Sequence, residues 1–170
     1  LPFRGGKGWL YEGGIREPMI IKWPQHGQKN VVRGEAVTSV DFYPTLLEIA
    51  GIKPDDSKVL DGVSLVPLLT GKHLEPRPLF WHYPHYSNQG GFPGGAVRSG
   101  DYKLIERFED GRTHLYNLAD DPGEQKDISD QKPAQVASMK RQLHDWYQKV
   151  DAKFLSAKEN GPEPWQPGFK

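Results

Sequence analysis

The sequence predicts a mixed α/β chain built around a four-stranded antiparallel sheet packed against a long C-terminal helix. Three observations carry that prediction. Short runs rich in aromatic and β-branched residues, Leu79-Phe80-Trp81-His82-Tyr83, Ala96-Val97-Arg98, Tyr102-Lys103-Leu104-Ile105 and Thr113-His114-Leu115-Tyr116, follow one another along the chain. Pro133 opens a helical pattern in which Val136, Met139, Leu143, Trp146, Val150 and Phe154 fall on one stripe. Earlier, Val40, Tyr43, Leu47 and Ala50 recur at helical spacing before a stop at Gly51.

Met19-Ile20-Ile21-Lys22-Trp23, bounded by Pro18 and Pro24, has the apolar run of a buried strand. A charged, glycine-containing loop follows. The next helix is expected to start near Asp41, because Pro44 then falls in the first turn, where its missing N–H is not needed. Residues 53–78 show no sustained period and read as an irregular connection, with one short helical turn in the stretch DGVSLVPLLTG. Ser99-Gly100-Asp101 and Asp110-Gly111 are the turns between the last three strands, and the resulting meander offers one face to the C-terminal helix. Ser129 and Asp130 are candidate caps of that helix, and Pro162, Pro164 and Pro167 end the chain in an extended tail.

Charge narrows the range of partners. The 22 basic and 22 acidic residues cancel, so no long-range field draws this chain to nucleic acid or to an anionic membrane. No run approaches the roughly 18 apolar residues of a membrane span. The absence of cysteine excludes a disulfide frame, a thiolate zinc site and a cysteine nucleophile within these residues. Any anion has to be met by local groups.

Two stretches have the chemistry for that. Gly5-Gly6-Lys7-Gly8 sets one ammonium on a backbone nearly free of side chains, open to an anion from several directions. It is not a phosphate-binding Walker loop, since Gly rather than Ser or Thr follows the lysine. The second stretch, Trp81 to Arg98, carries His82, His85, Tyr86 and Asn88 among aromatics and two glycine pairs. His82 and His85 lack a third donor at ligand spacing, so they are a weak metal signal. A histidine satisfied by a hydrogen bond at a strand end is the bland alternative.

The string RGGKGWLYEGGIREP resembles the C-terminal half of the formylglycine-dependent sulfatases. So do MIIKWP, TSVDFYPTLLEIAG, DGVSLVPLLTG, AVRSGDYKLI and LYNLADDPGEQKDIS after it, and the likeness runs from about residue 1 to residue 129. The resemblance implies an α/β fold of the alkaline phosphatase type, of which this chain is expected to be a C-terminal fragment. Residues 1–72 would be the last part of the catalytic domain, with one strand and one helix. Residues 73–160 would form the antiparallel subdomain with its long helix, and residues 161–170 the tail.

The family lysine of the Gly-Gly-Lys-Gly motif contacts the sulfate, which by resemblance makes Lys7 catalytic. Glu12 and Arg16 are expected to hold that loop by an ion pair or a backbone clamp. His82, His85, Tyr86 and Asn88 are expected to bind the substrate beyond the sulfate. The implied activity is hydrolysis of sulfate esters, of a sulfated carbohydrate or an aryl sulfate, by a periplasmic or secreted enzyme. The implied cofactors are calcium and formylglycine in the full-length protein and none in this chain, in which none of Asp41, Asp55, Asp56, Asp120 and Asp121 lies in the family's metal motif and no Cys or Ser stands in a C/S-x-P-x-R pattern. This chain alone is therefore expected to be inactive, with the missing N-terminal half as its partner. Leu1 to Pro18 are expected to be weakly anchored without that half.

Asp120 and Asp121 read as turn residues after the last strand. A structural or sulfated-glycan-binding subdomain, and a phosphoester hydrolase of the same superfamily, are the competing readings. Arg98, Lys103 and Arg107 are the few cations a glycan-binding face could use.

Overall fold

The computed structural model describes residues 2–169, so Leu1 and Lys170, which end the first and last predicted segments, lie outside the described residues. The chain divides into two compact units, residues 19–76 and residues 1–18 with 77–170. The glycine-rich start of the chain thus groups with the sheet.

In the sheet unit, β1 (Leu79–Tyr83), β2 (Gly94–Ser99), β3 (Tyr102–Arg107) and β4 (Thr113–Asn117) form an antiparallel meander in the order β1-β2-β3-β4. Ser99 pairs with Tyr102, so the β2–β3 link is two residues long, and Gly100 takes the left-handed conformation (φ 58°) that such a reversal needs. The register sets Val97, Leu104 and Leu115 side by side on one face. They join Phe108, Met139, Leu143 and Tyr147 in a cluster sealed by helix α4 (Pro133–Lys149).

Helix α4 is shorter than its apolar stripe. The chain turns at Asp151 (φ 50°), and Phe154 reaches the core by folding back against Phe108 and Tyr147. The tail is not loose either, because Trp165 stacks on Phe108 at 5.9 Å and Gln166 donates to the Leu155 carbonyl.

The opposite face is also covered. Ala96, Ile105 and Tyr116 pack with Leu10, Tyr11 and Leu118. Weak anchoring of the N-terminal stretch is therefore not what the fold shows, since its apolar residues Leu10 and Tyr11 are core. The short helix α1 (Glu12–Ile15) follows directly.

The other unit holds α2 (Phe42–Ile49) and α3 (Val66–Leu69). Asp41 is fully buried, and its carboxylate accepts the Thr38 and Val63 N–H groups at 2.8 and 2.9 Å. Thr45 donates to the Asp41 carbonyl and accepts the Leu65 N–H, which closes the α2–α3 connection. Met19–Trp23 does not form the expected strand, and Ile20 is 94% exposed. A strand needs a ladder to satisfy its backbone, and no described residue pairs with this run. Helix α2 turns Phe42, Tyr43, Leu46 and Ile49 outward.

Candidate functional site

Residues 4–14 make a closed loop with Lys7 at its tip. The Gly13 N–H donates to the Arg4 carbonyl at 2.8 Å, and the Trp9 N–H donates to the Gly6 carbonyl at 3.1 Å. This closure explains the second glycine pair. A Cβ on Gly13 would stand 2.5 Å from the Arg4 carbonyl oxygen, and one on Gly14 would run into the Trp9 and Gly6 carbonyls. Gly5 and Gly8 take positive φ values of 73° and 92°. Lys7 itself is exposed, and among the described residues no carboxylate pairs with it.

The base of the loop is tied to the sheet by three buried charges. The Lys103 ammonium, fully buried near the start of β3, lies 3.0 Å from Glu12 Oε1 and 2.9 Å from Glu124 Oε1. The other Glu124 oxygen accepts the Glu12 N–H at 2.6 Å. Burial pushes the Glu124 carboxyl up, against the Lys103 ammonium and the Glu12 N–H, which favour its ionised form. Arg16 and Arg98 approach Glu12 Oε2 at 3.7 and 4.0 Å. Arg4 lies over the Tyr11 ring at 4.1 Å and donates to the Tyr116 hydroxyl and the Glu124 carbonyl.

Glu12 therefore is a clamp, as its motif implied, while Arg16 is a distant contributor. No sequence pattern marks Lys103, which reads as a surface cation, as the clamp's centre. Glu124 carries no signal either, because it follows the polar turn Asp120-Asp121-Pro122-Gly123, which reads as solvent-facing loop; in the fold it takes the left-handed conformation (φ 51°). Its neighbour Asp121 matches the turn reading, accepting the Gln125 and Lys126 N–H groups.

The aromatic stretch packs on this loop. A Cβ on Gly8 would meet Ser87 Oγ at 2.6 Å, one on Gly90 would meet the Trp9 ring at 2.7 Å, and one on Gly91 would meet the Gly8 carbonyl. Phe92 stands edge-on to Trp9 and Tyr11 at 6.2 and 6.1 Å. Asn88, between Ser87 and the Gly90 that abuts Trp9, is exposed beside the lysine loop. Tyr86 is exposed and donates its hydroxyl to Glu109 at 3.2 Å, and exposed His85 lies edge-on to Tyr83.

His82 is placed differently from the other three. Its ring sits among Phe108, Tyr147 and Phe154, and Nε2 lies 2.6 Å from the Lys153 carbonyl. Burial lowers its pKa from 6.5, against the hydrogen bond to Lys153. One ring nitrogen is thus satisfied at the strand end, while the buried Nδ1 has no hydrogen-bond partner among the described residues. Among the described residues no group of three or more His, Cys, Asp or Glu side chains is placed to hold a metal ion.

Comparison with known proteins matches the same architecture. A sulfatase of Formosa agariphila is 37% identical over 167 residues, covering 89% of this chain and 30% of its own length. Human arylsulfatase A is 38% identical over 145 residues, covering 71% of this chain and 27% of its own. The crystal structure of Ps i-CgsB superposes with a TM-score of 0.70 at 29% identity, covering 85% of this chain and 32% of that one. That protein has also been crystallised with k-i-k-neocarrahexaose. This chain spans about 30% of the length of the relatives it matches. Fold and loop together define the C-terminal portion of a sulfatase. The chain belongs to the N-sulphoglucosamine sulphohydrolase C-terminal family, whose model matches residues 5–153.

Proposed function

We propose that this chain supplies an active-site lysine and part of the substrate wall to a longer enzyme that hydrolyses the sulfate esters of a sulfated carbohydrate. The carrying observation is that Lys7 is exposed at the tip of a loop whose base is locked by buried charge. The backbone that carries this ammonium is held in place before substrate arrives. As the bond from sulfur to the leaving oxygen loosens, negative charge grows on the oxygens, and a fixed cation favours that state over the ground state. His85, Tyr86 and Asn88 are the side chains we assign to the sugar beyond the sulfate. The hexaose bound by Ps i-CgsB supports a carbohydrate over an aryl sulfate.

Calcium and formylglycine do not fit the residues of this chain. It has no cysteine and no serine in the required pattern, and its described residues assemble no metal donor set. In this reading both belong to another part of the longer protein, so the 170-residue chain turns over no sulfate ester by itself. A periplasmic or secreted location accompanies the proposal, and no described helix is long and apolar enough to cross a membrane.

The test is sulfate-ester turnover by the full-length protein, by its Lys7→Ala variant and by this chain alone, each with its thermal unfolding curve. The expected result is activity only in the first, with the variant equally folded and its kcat/KM lower by roughly 10²-fold or more. Full activity in a stably folded Lys7→Ala protein would remove the proposed role.

A further inference from the structure

We propose that Lys103 is the positioning residue of the Lys7 site: its buried ammonium draws Glu12 and Glu124 together and so fixes the loop that presents Lys7. This deepens, and rests on, the reading of Lys7 as the residue that meets the sulfate. Lys103 has no exposed surface and cannot touch a substrate. It can act only through the two carboxylates that it holds at 3.0 and 2.9 Å.

Their positions make the coupling specific. Glu12 begins α1, and the next residue, Gly13, donates to Arg4 and so closes the loop around Lys7. Glu124 receives the Glu12 N–H on one oxygen and Lys103 on the other, so one side chain fixes both the backbone and the charge at the loop's base. Without the ammonium, burial favours the neutral form of Glu124, and Glu12, the only one of the pair carried on the loop, is left to the longer contacts of Arg16 and Arg98, so nothing draws the two side chains together at the loop's base. A shift there displaces the tip. A displacement of about 1 Å at a charge-stabilising group is enough to lose roughly 10²-fold in rate.

The backbone pairing of position 103 with Arg98 and Tyr116 does not depend on a charged side chain. Val97, Leu104 and Leu115, on the other face, need nothing from it. The retained charge is thus explained by the loop and not by the sheet's own packing.

The experiment is a double-mutant cycle in the full-length enzyme with Lys7→Ala, Lys103→Met and the double variant, measured below every unfolding transition. It is accompanied by amide exchange at Trp9, Gly13 and Gly14. Lys103→Met is expected to lower kcat by roughly 10²-fold with KM little changed where Lys7 is present, and to add little where Lys7 is absent. Its loop amides are expected to exchange at least about tenfold faster while those of α4 keep their rates. Equal losses of kcat in both backgrounds, or unchanged exchange at Gly13, would overturn the proposal. If Lys7→Ala alone left kcat intact, the functional reading of Lys7 would fall, and the exchange arm would decide by itself whether Lys103 fixes the loop. Should Lys103→Met not fold, Glu124→Gln preserves volume and is expected to loosen the same amides. No change in that variant would refute the coupling.

Discussion

The Glu12 N–H donates to the Glu124 carboxylate at 2.6 Å across 112 residues of chain, and both residues are buried. This bond joins the start of the chain to the turn after the last strand, with Lys103 supplying the charge between them. Such a network is unequal in its dependencies. Removing the lysine strips Glu124 of its cation and leaves Glu12 with only the longer contacts to Arg16 and Arg98, whereas neutralising Glu124 leaves a matched Glu12–Lys103 pair.

Lys103→Met is therefore expected to destabilise the fold by about 3–5 kcal/mol, the cost of an uncompensated buried charge. Glu124→Gln keeps an acceptor for the Glu12 N–H and should cost less, about 1–3 kcal/mol. Urea unfolding of both variants checks the order. A more severe loss in Glu124→Gln would mean that the lysine is not the centre of the network.

The glycines of the loop divide by environment. A Cβ on Gly6 meets nothing within 4 Å, while one on Gly14 collides with two carbonyls. Gly6→Ala should leave stability unchanged or raise it by up to about 1 kcal/mol, through the unfolded state. Gly14→Ala should cost about 1–3 kcal/mol by forcing the loop open. Thermal unfolding with limited proteolysis of residues 4–14 separates the two. Equal behaviour would show that the closed loop is not maintained in solution.

His82 should make stability depend on pH. Its folded pKa lies below the ordinary 6.5 because burial disfavours the cation. As pH falls below 6.5 the unfolded chain takes up a proton that the folded chain refuses, so stability drops until pH passes the folded pKa. Above 6.5 the residue contributes no slope. His82→Phe keeps the aromatic packing with Phe108 and Phe154 and should flatten the acid side of the profile, measured as melting temperature against pH. An unchanged slope would mean that another group sets it.

The strands and helices were legible because their signals are local. The β2–β3 turn, the stripe on α4 and the start of α2 after Asp41 each follow from a few adjacent residues. The lysine loop was legible for the same reason, since Lys7 sits in a contiguous glycine motif. The clamp was not, because Glu12, Lys103 and Glu124 are far apart in sequence and no single-sequence pattern pairs a strand lysine with a turn glutamate. Met19–Trp23 misled in the other direction. Its apolar composition favours a strand, but the ladder that a strand needs is a tertiary fact.

Helix α2 exposes Phe42, Tyr43, Leu46 and Ile49 together. Contiguous apolar exposure of this kind marks a contact surface, so this face is expected to be covered in the longer protein. This chain alone should bind a hydrophobic dye, and Leu46→Glu should reduce that binding without loss of melting temperature. In the longer protein the same change should be destabilising by about 2–5 kcal/mol, the scale for disrupting a buried leucine. Equal tolerance in both would show that the face stays in water.

Lys7→Arg is the most discriminating change at the loop, because it keeps the charge and alters its shape. An ammonium is compact and can direct any of its three hydrogens to one oxygen, whereas a guanidinium is a planar fork that spreads its charge. If Lys7 meets a sulfate oxygen within the glycine-lined loop, the fork does not reach the same point. The loop has little room to adjust, since Gly8 abuts Ser87 and Gly13 abuts Arg4. The variant should fold as well as the parent, because residue 7 is exposed, yet lose roughly 10²-fold in kcat/KM, close to the loss in Lys7→Ala. If the lysine serves only as a general positive field, arginine should restore most of the rate. The measurement is sulfate-ester turnover of both variants in the full-length protein across a range of salt concentrations. A contact inside a closed site is screened little, and a long-range field falls away as the Debye length shortens from about 10 Å at 0.1 M to about 3 Å at 1 M. Retention of activity by Lys7→Arg, together with steep salt dependence, would replace the contact with steering and move the catalytic role away from this loop.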